Sequence, residues 1–374
     1  MKKNDRITRR QFLKGLLSGA AGLAAFRFLG PSALATEGED VVYINDLIHG
    51  DDTIEARFLN TPNNAKSDAT VLLCHGRDRL QVLLVDGGLA NGRCYVVLTQ
   101  LRSSLMQALG LGDKVKDRNY KLRLTLVATH CHKDHVAELY ANIIPSKMMS
   151  IESLYVPAAS ALTQDGTYNN AKNGDMGHRS SLLAAMARYA PDAPVHIMDY
   201  GETAEFGLAC GSAKIYAPLQ DWGVGDALQY VHDVYYPGAG GAKIRDDVPV
   251  AVVNANCQWL RVTLGEHSLL FPGDIMKKRD ARHDEPMDLM VAAYADELKS
   301  DVVKYPHHGI SRNQAAVLVY EQLMKEGGTT VLSTAGARDS SGVRLKALGA
   351  NFVTTEDGSY TFYLSDSGVK YEQV

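Results

Sequence analysis

Short apolar runs, each closed off by Gly, Pro or Asp, recur from residue 70 to the C-terminus. Runs of this length and punctuation predict strands over 70–74, 81–85, 122–129, 153–156, 213–217, 249–253, 259–264, 268–271, 301–305, 329–333 and 359–364. Apolar residues at helical spacing predict helices over 102–109, 136–144, 179–189 and 314–325. Strands outnumber helices and stand in both hairpin and crossover spacing, so the fold class expected is layered α/β with mixed sheets. Two stretches, 159–177 and 219–248, read as long loops. The second carries Trp222, Tyr230, Tyr235, Tyr236, Gly238, Gly240 and Gly241. Such loops are commonly rims or lids, although a tolerated surface insertion costs little.

The 374 residues are 45% hydrophobic and 22% charged, which excludes a disordered chain and a multi-span membrane protein. The net charge of −4 hides an asymmetry. Lys2, Lys3, Arg6, Arg9, Arg10, Lys14 and Arg27 are opposed before residue 36 only by Asp5, so residues 36–374 carry 32 basic and 42 acidic groups, a net of −10. The first 35 residues run from a charged region to an apolar stretch at 15–26 and then to Ala33-Leu34-Ala35, the layout of a cleaved export signal. That apolar stretch has about 12 residues where a spanning helix needs about 20, so no permanent membrane span is expected. Thr8-Arg9-Arg10-Gln11-Phe12-Leu13-Lys14 resembles the twin-arginine signal, which implies passage of a folded protein through the twin-arginine translocase. The protein is therefore expected to be exported, periplasmic or extracellular, with residues 36–374 forming a single domain undivided by any linker or fixed-period repeat. Cys74, Cys94, Cys131, Cys210 and Cys257 are too few and too scattered for a disulfide scaffold. A single disulfide remains open.

The segment that carries chemistry is His130-Cys131-His132-Lys133-Asp134-His135, placed where a strand ends and a helix begins. Neutral imidazole and carboxylate are ligands of divalent zinc, iron or manganese. In an extended loop His130 and His132 project to the same side and can reach one ion. Asp134 and His135, at the helix start, can reach a second. Without a metal, such a cluster would leave buried polar groups unsatisfied or in mutual repulsion.

This segment resembles the His-x-His-x-Asp-His signature of the metallo-β-lactamase fold, and other motifs follow in order. Ser67-Asp68-Ala69 with 82–88, ending in Asp86-Gly87-Gly88, is similar to the family's opening hairpin. Asn254-Ala255-Asn256-Cys257, Gly273-Asp274 and Pro306-His307-His308-Gly309 resemble the subfamily of the ComEC hydrolase domain and the choline-binding phosphorylcholine esterase. The ending at 353–360 resembles that subfamily's last strands. The resemblance spans nearly all of residues 41–374 and implies a four-layered αββα sandwich with one or two divalent ions, zinc first and manganese as the alternative. It implies His130 and His132 on metal one, Asp134 and His135 on metal two, Asp274 bridging both, and His307 or His308 completing metal two. Asp134 and Asp274 would then be the catalytic carboxylates, with a metal-activated water as the attacking group. Asp86 would orient a ligand imidazole. The family's usual third ligand of metal one has no motif here. His178, His196, His232 and His267 are isolated, and the Asn-x-Asn resemblance leaves Asn256 near that position, with Asn254 and Asn256 expected behind the ligands or against substrate.

The resemblance implies a phosphodiester or related ester, small or polymeric, as substrate. A β-lactam or lactone substrate and a non-catalytic metal-binding role remain as alternatives. A net of −10 does not supply the basic surface that sequence-independent nucleic-acid binding needs. Lys277-Lys278-Arg279 and the basic residues of 114–123 read as solvated charge sooner than as a binding stripe. The aromatic residues of 219–248 could stack on a base, cage a choline ammonium or form a small core of their own.

Overall fold

A computed structural model describes residues 27–28, 41–59, 67–164, 175–235, 248–277, 285–310, 314–333, 340–356 and 358–374. Along Thr53–Phe58 (β1) half-exposed and buried side chains alternate, as on a strand with one covered face. Thr70–His75 (β2) is buried up to its last residue and Leu80–Val85 (β3) throughout, which requires cover on both faces. Tyr120–Val127 (β4), Met149–Pro157 (β5) and Val195–Met198 (β6) continue this first sheet. The second sheet contains Thr203–Gly207 (β7), Ser212–Tyr216 (β8), Trp259–Leu264 (β9), His267–Phe271 (β10), Ser300–Lys304 (β11), Met324–Leu332 (β12) and Asn351–Thr354 (β13). The chain then returns to the first sheet as a hairpin, Tyr360–Ser365 (β14) and Gly368–Gln373 (β15).

The order is β15-β14-β1-β2-β3-β4-β5-β6 in one sheet and β7-β8-β9-β10-β11-β12-β13 in the other. Each sheet is antiparallel in its first part and parallel in its second: the change comes at β3–β4 and again at β10–β11. The parallel pairs need crossovers, and these supply the helices. Arg93–Ala108 (α1), Lys133–Glu138 (α2) and Asp175–Tyr189 (α3) lie on the first sheet, with Leu98, Val136 and Leu182 packed over Leu84, Leu124 and Leu126. Gly225–Tyr235 (α4) and Val248–Ala255 (α5) pair with each other. Pro286–Leu298 (α6) and Ser340–Ala347 (α7) cover the second sheet, where Met287, Met290 and Leu345 meet Trp259, Leu270 and Val303. Between the sheets Ile54, Leu72, Leu83 and Val127 face Ile215, Leu260, Val262 and Leu269. Phe58 stacks on Phe271 across that interface at 5.8 Å and meets Phe362 edge-on at 5.5 Å. The layers are therefore helix, sheet, sheet, helix.

Several sequence expectations are corrected. Residues 249–253, expected as a strand, lie inside α5. A short apolar run does not distinguish strand from buried helix, and Val248, Val252 and Ala255 pack with Val231 of the paired α4 and with Trp222 in the turn before it. Residues 136–144 and 314–325 both widen from α-helical turns into π-helical ones, at Leu139–Ile143 and Val319–Leu323, and β12 has begun by Met324. The stretch 219–248 contains α4, and 159–177 contains a helical turn at Ala161–Gln164 and the start of α3. Tyr236, Gly238, Gly240, Gly241, Lys278 and Arg279 lie outside the described residues, as does the leader apart from residues 27–28. All five cysteines are buried, and none is in a disulfide. Among the described residues no helix is long and apolar enough to cross a membrane.

Candidate metal centre

The site lies at the carboxyl ends of adjacent parallel strands, where side chains from separate loops converge. Asp86 directly follows β3, His130, His132, Asp134 and His135 follow β4, Asp274 follows β10, and His307 and His308 follow β11. Asp86 takes a left-handed backbone (φ 55°), the turn that lifts its carboxylate over the end of β4. There its Oδ1 accepts the Thr129 backbone N–H at 2.8 Å, and its Oδ2 accepts the Thr129 hydroxyl at 2.8 Å. Its Oδ2 is also 2.8 Å from Nδ1 of His135. Gly87 and Gly88 donate their backbone N–H groups to the carbonyl of His135, and a Cβ on Gly87 would strike Leu139 at 2.6 Å. The sequence Asp-Gly-Gly thus folds as a clamp on the start of α2.

With Nδ1 engaged by Asp86, His135 presents Nε2 to Asp274 Oδ1 at 3.3 Å. His130 repeats the pattern: Nδ1 meets the Thr129 hydroxyl at 3.1 Å, while Nε2 lies 2.9 Å from His132 Nδ1 and 3.9 Å from Asp274 Oδ2. His308 presents Nε2 to Asp274 Oδ2 and Asp134 Oδ2, both at 3.2 Å. His307 Nε2 is 3.8 Å from Asp274 Oδ2. Two donor sets result, His130, His132 and Asp274 in one and Asp68, His135, Asp274 and His308 in the other, each with ligand atoms within 4.8 Å of one another. Asp274 belongs to both sets.

These residues fit a metal. His130, His135, Asp274 and His308 are buried, and the facing atoms His135 Nε2 and Asp274 Oδ1 make no hydrogen bond. Donors on one tetrahedral zinc, each about 2.0–2.2 Å from the ion, stand roughly 3.5 Å apart, close to the spacings here. The electrostatics agree. Burial pushes the Asp274 carboxyl up, but His308, His135 and His307 outweigh it and hold the group well below the carboxylate range. Burial pushes His135 and His308 down, yet the carboxylates around them, Asp274 foremost, hold both well above the ordinary imidazole value. His130, with imidazole neighbours on both sides, is driven well down by burial, and His307 is lowered to about 4 by burial against the opposing pull of Asp274. Burial raises Asp134 also, but the contact with His308 brings it net far down. This is a charge arrangement in which imidazolium protons occupy the place of cations.

The other expected residues make contacts outside the two donor sets. Asn256 Oδ1 accepts the Trp222 backbone N–H at 3.1 Å and its Nδ2 donates to Asp221 Oδ1 at 3.2 Å, tying the 221–222 turn. Asn254 is buried on α5, its Oδ1 without a hydrogen bond. His178 meets Tyr140, His196 stacks on Tyr155, His232 meets Asp233 and His267 meets Asp301, none of them a site residue. Trp222, Tyr230 and Tyr235 pack with Val231, Val248 and Met276 as a small core. Lys277 pairs with Asp288. Thr129, Lys304 and Ser333 join the site without having been singled out, and Asp68, quoted only as part of the opening hairpin, joins it with no role expected of it. Only adjacency to His130 could have drawn attention to Thr129, and only the Ser-Asp-Ala at the opening hairpin to Asp68.

The two mixed sheets and the outer helices stack in the four layers that the resemblance implies. The fold is the four-layered sandwich of the metallo-β-lactamase type. No family model matches the chain, and no curated protein matches it in sequence. Among solved structures, it is similar to the metallo-β-lactamase fold protein YhfI from Bacillus subtilis, at 12% identity over 83% of this chain and 99% of that one (TM-score 0.37). Zinc-bound PqqB from Methylobacterium extorquens is similar at 11% identity, over 83% and 99% of the two chains (TM-score 0.41). Human short-form tRNase Z is similar at 12% identity, over 75% and 92% (TM-score 0.35).

Proposed function

We propose that this chain is a metal-dependent hydrolase that cleaves a phosphodiester or related ester after export from the cytoplasm. The observation that carries the reading is the pair of donor sets sharing Asp274. A divalent ion bound there would supply Lewis acidity and lower the pKa of a water. The chain's own residues do the rest. Asp86, directly and through Thr129, fixes His135 and His130 with their Nε2 atoms turned inward. Asp134 is the most exposed carboxylate of the cluster, its side chain 27% accessible, and stands on the open side with Oδ2 toward His308. A carboxylate held so low is a weak base, which suits orienting a water better than storing its proton.

Two features favour a compact ester over nucleic acid. Residues 36–374 carry a net of −10, and Lys277, nearest of its basic run to Asp274, is paired with Asp288. A choline cage built from Trp222, Tyr230 and Tyr235 loses support, because those rings fill their own core. The twin-arginine leader and the Ala33-Leu34-Ala35 site support export as a folded protein. Metal analysis of residues 36–374, combined with a panel of bis-nitrophenyl phosphate, phosphomonoester, phosphocholine ester, lactone and β-lactam substrates, tests the reading. Two ions per chain and diester cleavage that is lost on chelation and in Asp134→Ala are expected. Full activity after either treatment overturns metal dependence, and β-lactam or lactone cleavage without diester cleavage replaces the substrate class.

A further inference from the structure

His307, His308 and Gly309 all have left-handed backbones (φ 51°, 60° and 88°), an unfavourable run for two histidines. Something must fix the ring of His308 in this turn. Its two edges face different partners. At Nε2 stand Asp274 and Asp134, each at 3.2 Å. At Nδ1 stand the Ser333 hydroxyl at 3.2 Å and Asp68 Oδ2 at 3.4 Å. Asp68 is buried, and the same Oδ2 takes an ion pair at 2.8 Å from the equally buried Lys304, which also donates to the Tyr305 carbonyl. The backbone N–H of Asp68 donates to the carbonyl of Asp134 at 3.1 Å, so the strand entry is tied to the metal motif itself. Burying a lysine and an aspartate together carries a desolvation penalty that pairing alone seldom recovers. A task at His308 accounts for it.

We propose that Asp68, although within reach of the second donor set, is held by Lys304 as a positioning residue for His308 and not as a ligand, doing at that imidazole what Asp86 does at His135. Asp68 stands behind the ring, on the Nδ1 edge, and accepts the Nδ1 proton, so that on loading Nε2 would give up its own proton and be free for an ion held with Asp274. Each histidine of the second donor set is then backed by a carboxylate from a different loop, Asp86 after β3 and Asp68 before β2. Lys304 keeps the Asp68 carboxylate charged and turned toward the ring. The inference rests on the metal-dependent reading above.

The test compares wild type, Asp68→Asn and Lys304→Met by cobalt(II) titration, absorption spectroscopy and 15N NMR of the histidine rings. Asp68→Asn is expected to keep two cobalt sites, to bind the weaker-held ion about 10–100-fold less tightly, and to lose the single Nδ1-protonated form of His308 in the metal-loaded protein. Lys304→Met is expected to move the same readings in the same direction, and it stands in if Asp68→Asn does not fold by circular dichroism. Unchanged affinity and tautomer in the folded variants overturn the proposal. A fall to one cobalt at saturation also overturns it, because Asp68 is then itself a ligand. A wild type that takes up no divalent ion overturns the metal-dependent reading as a whole, an outcome distinct from either.

Discussion

The chemistry of single residues here is a matter of which ring nitrogen is occupied. Asp86 holds His135 by Nδ1 and, through the Thr129 hydroxyl, His130 by Nδ1, so one buried carboxylate serves both donor sets. Asp86→Ala is therefore expected to weaken both ions, each by about 10–100-fold in a competition titration with a chromogenic chelator. A variant that weakens only one ion would separate the two arms. Protons give a second prediction. His135 and His308 are held well above the ordinary imidazole value, so both are charged in the metal-free protein at pH 7, whereas a ligand imidazole must be neutral. Loading the second set at pH 7 should release about two protons, and affinity should fall as pH falls. Calorimetry in two buffers of different ionisation enthalpy counts them, and no release would mean that these rings do not ligate. The His-x-His-x-Asp-His run was legible in the sequence because all its members sit within six residues. Asp68 was not, because its contact with His308 spans 240 positions and depends on β2 and β11 lying in different sheets.

Among the elements, strands buried on both faces were legible, while the edges and β1, an inner strand of alternating half-exposed and buried side chains, were not. Strands buried on both faces, such as β3 and β10, are continuous apolar runs that announce themselves. The edge strands β6 and β7 have exposed, mixed side chains and no such signal. Helix α5 was misread for the opposite reason: cover on several sides made it as apolar as a strand. The loops of the candidate metal centre depend on the central elements staying in register, and the two sheets are joined mainly by apolar packing. Phe271 is the second-sheet member of the Phe58, Phe271 and Phe362 cluster and lies three residues before Asp274. Phe271→Ala should lower stability by about 3–5 kcal/mol in urea unfolding, with metal affinity falling in parallel because the Gly273-Asp274 turn loses its support. Stability lost with metal affinity unchanged would show that the turn is held by its own contacts, such as Asp274 N–H to Cys257 Sγ at 3.2 Å.

For the whole molecule, charge decides between readings that the fold leaves open. A nearly neutral sum conceals basic first 35 residues and an acidic remainder. If the leader is a twin-arginine address, Arg9→Lys with Arg10→Lys should leave full-length protein in the cytoplasm of a bacterial host, seen by fractionation, while the wild type accumulates outside it with the leader removed. Export that survives the double substitution would assign the leader to another route. The acidic remainder then bears on the substrate. A protein that binds nucleic acid through phosphate contacts shows affinity that falls steeply with salt, by about 10³–10⁵ between 50 and 200 mM for six to ten contacts. Here the attraction for an anionic ester would come from the donor-set cations alone, opposed at long range by a net of −10 that salt screens. The value of kcat/KM for a small diester should therefore stay level or rise between 20 and 200 mM salt, roughly the range over which the Debye length shrinks to about 7 Å. A decline of several orders of magnitude would mean that a basic surface, made of residues such as Lys278 and Arg279, captures the substrate after all, and the reading would move to a nuclease.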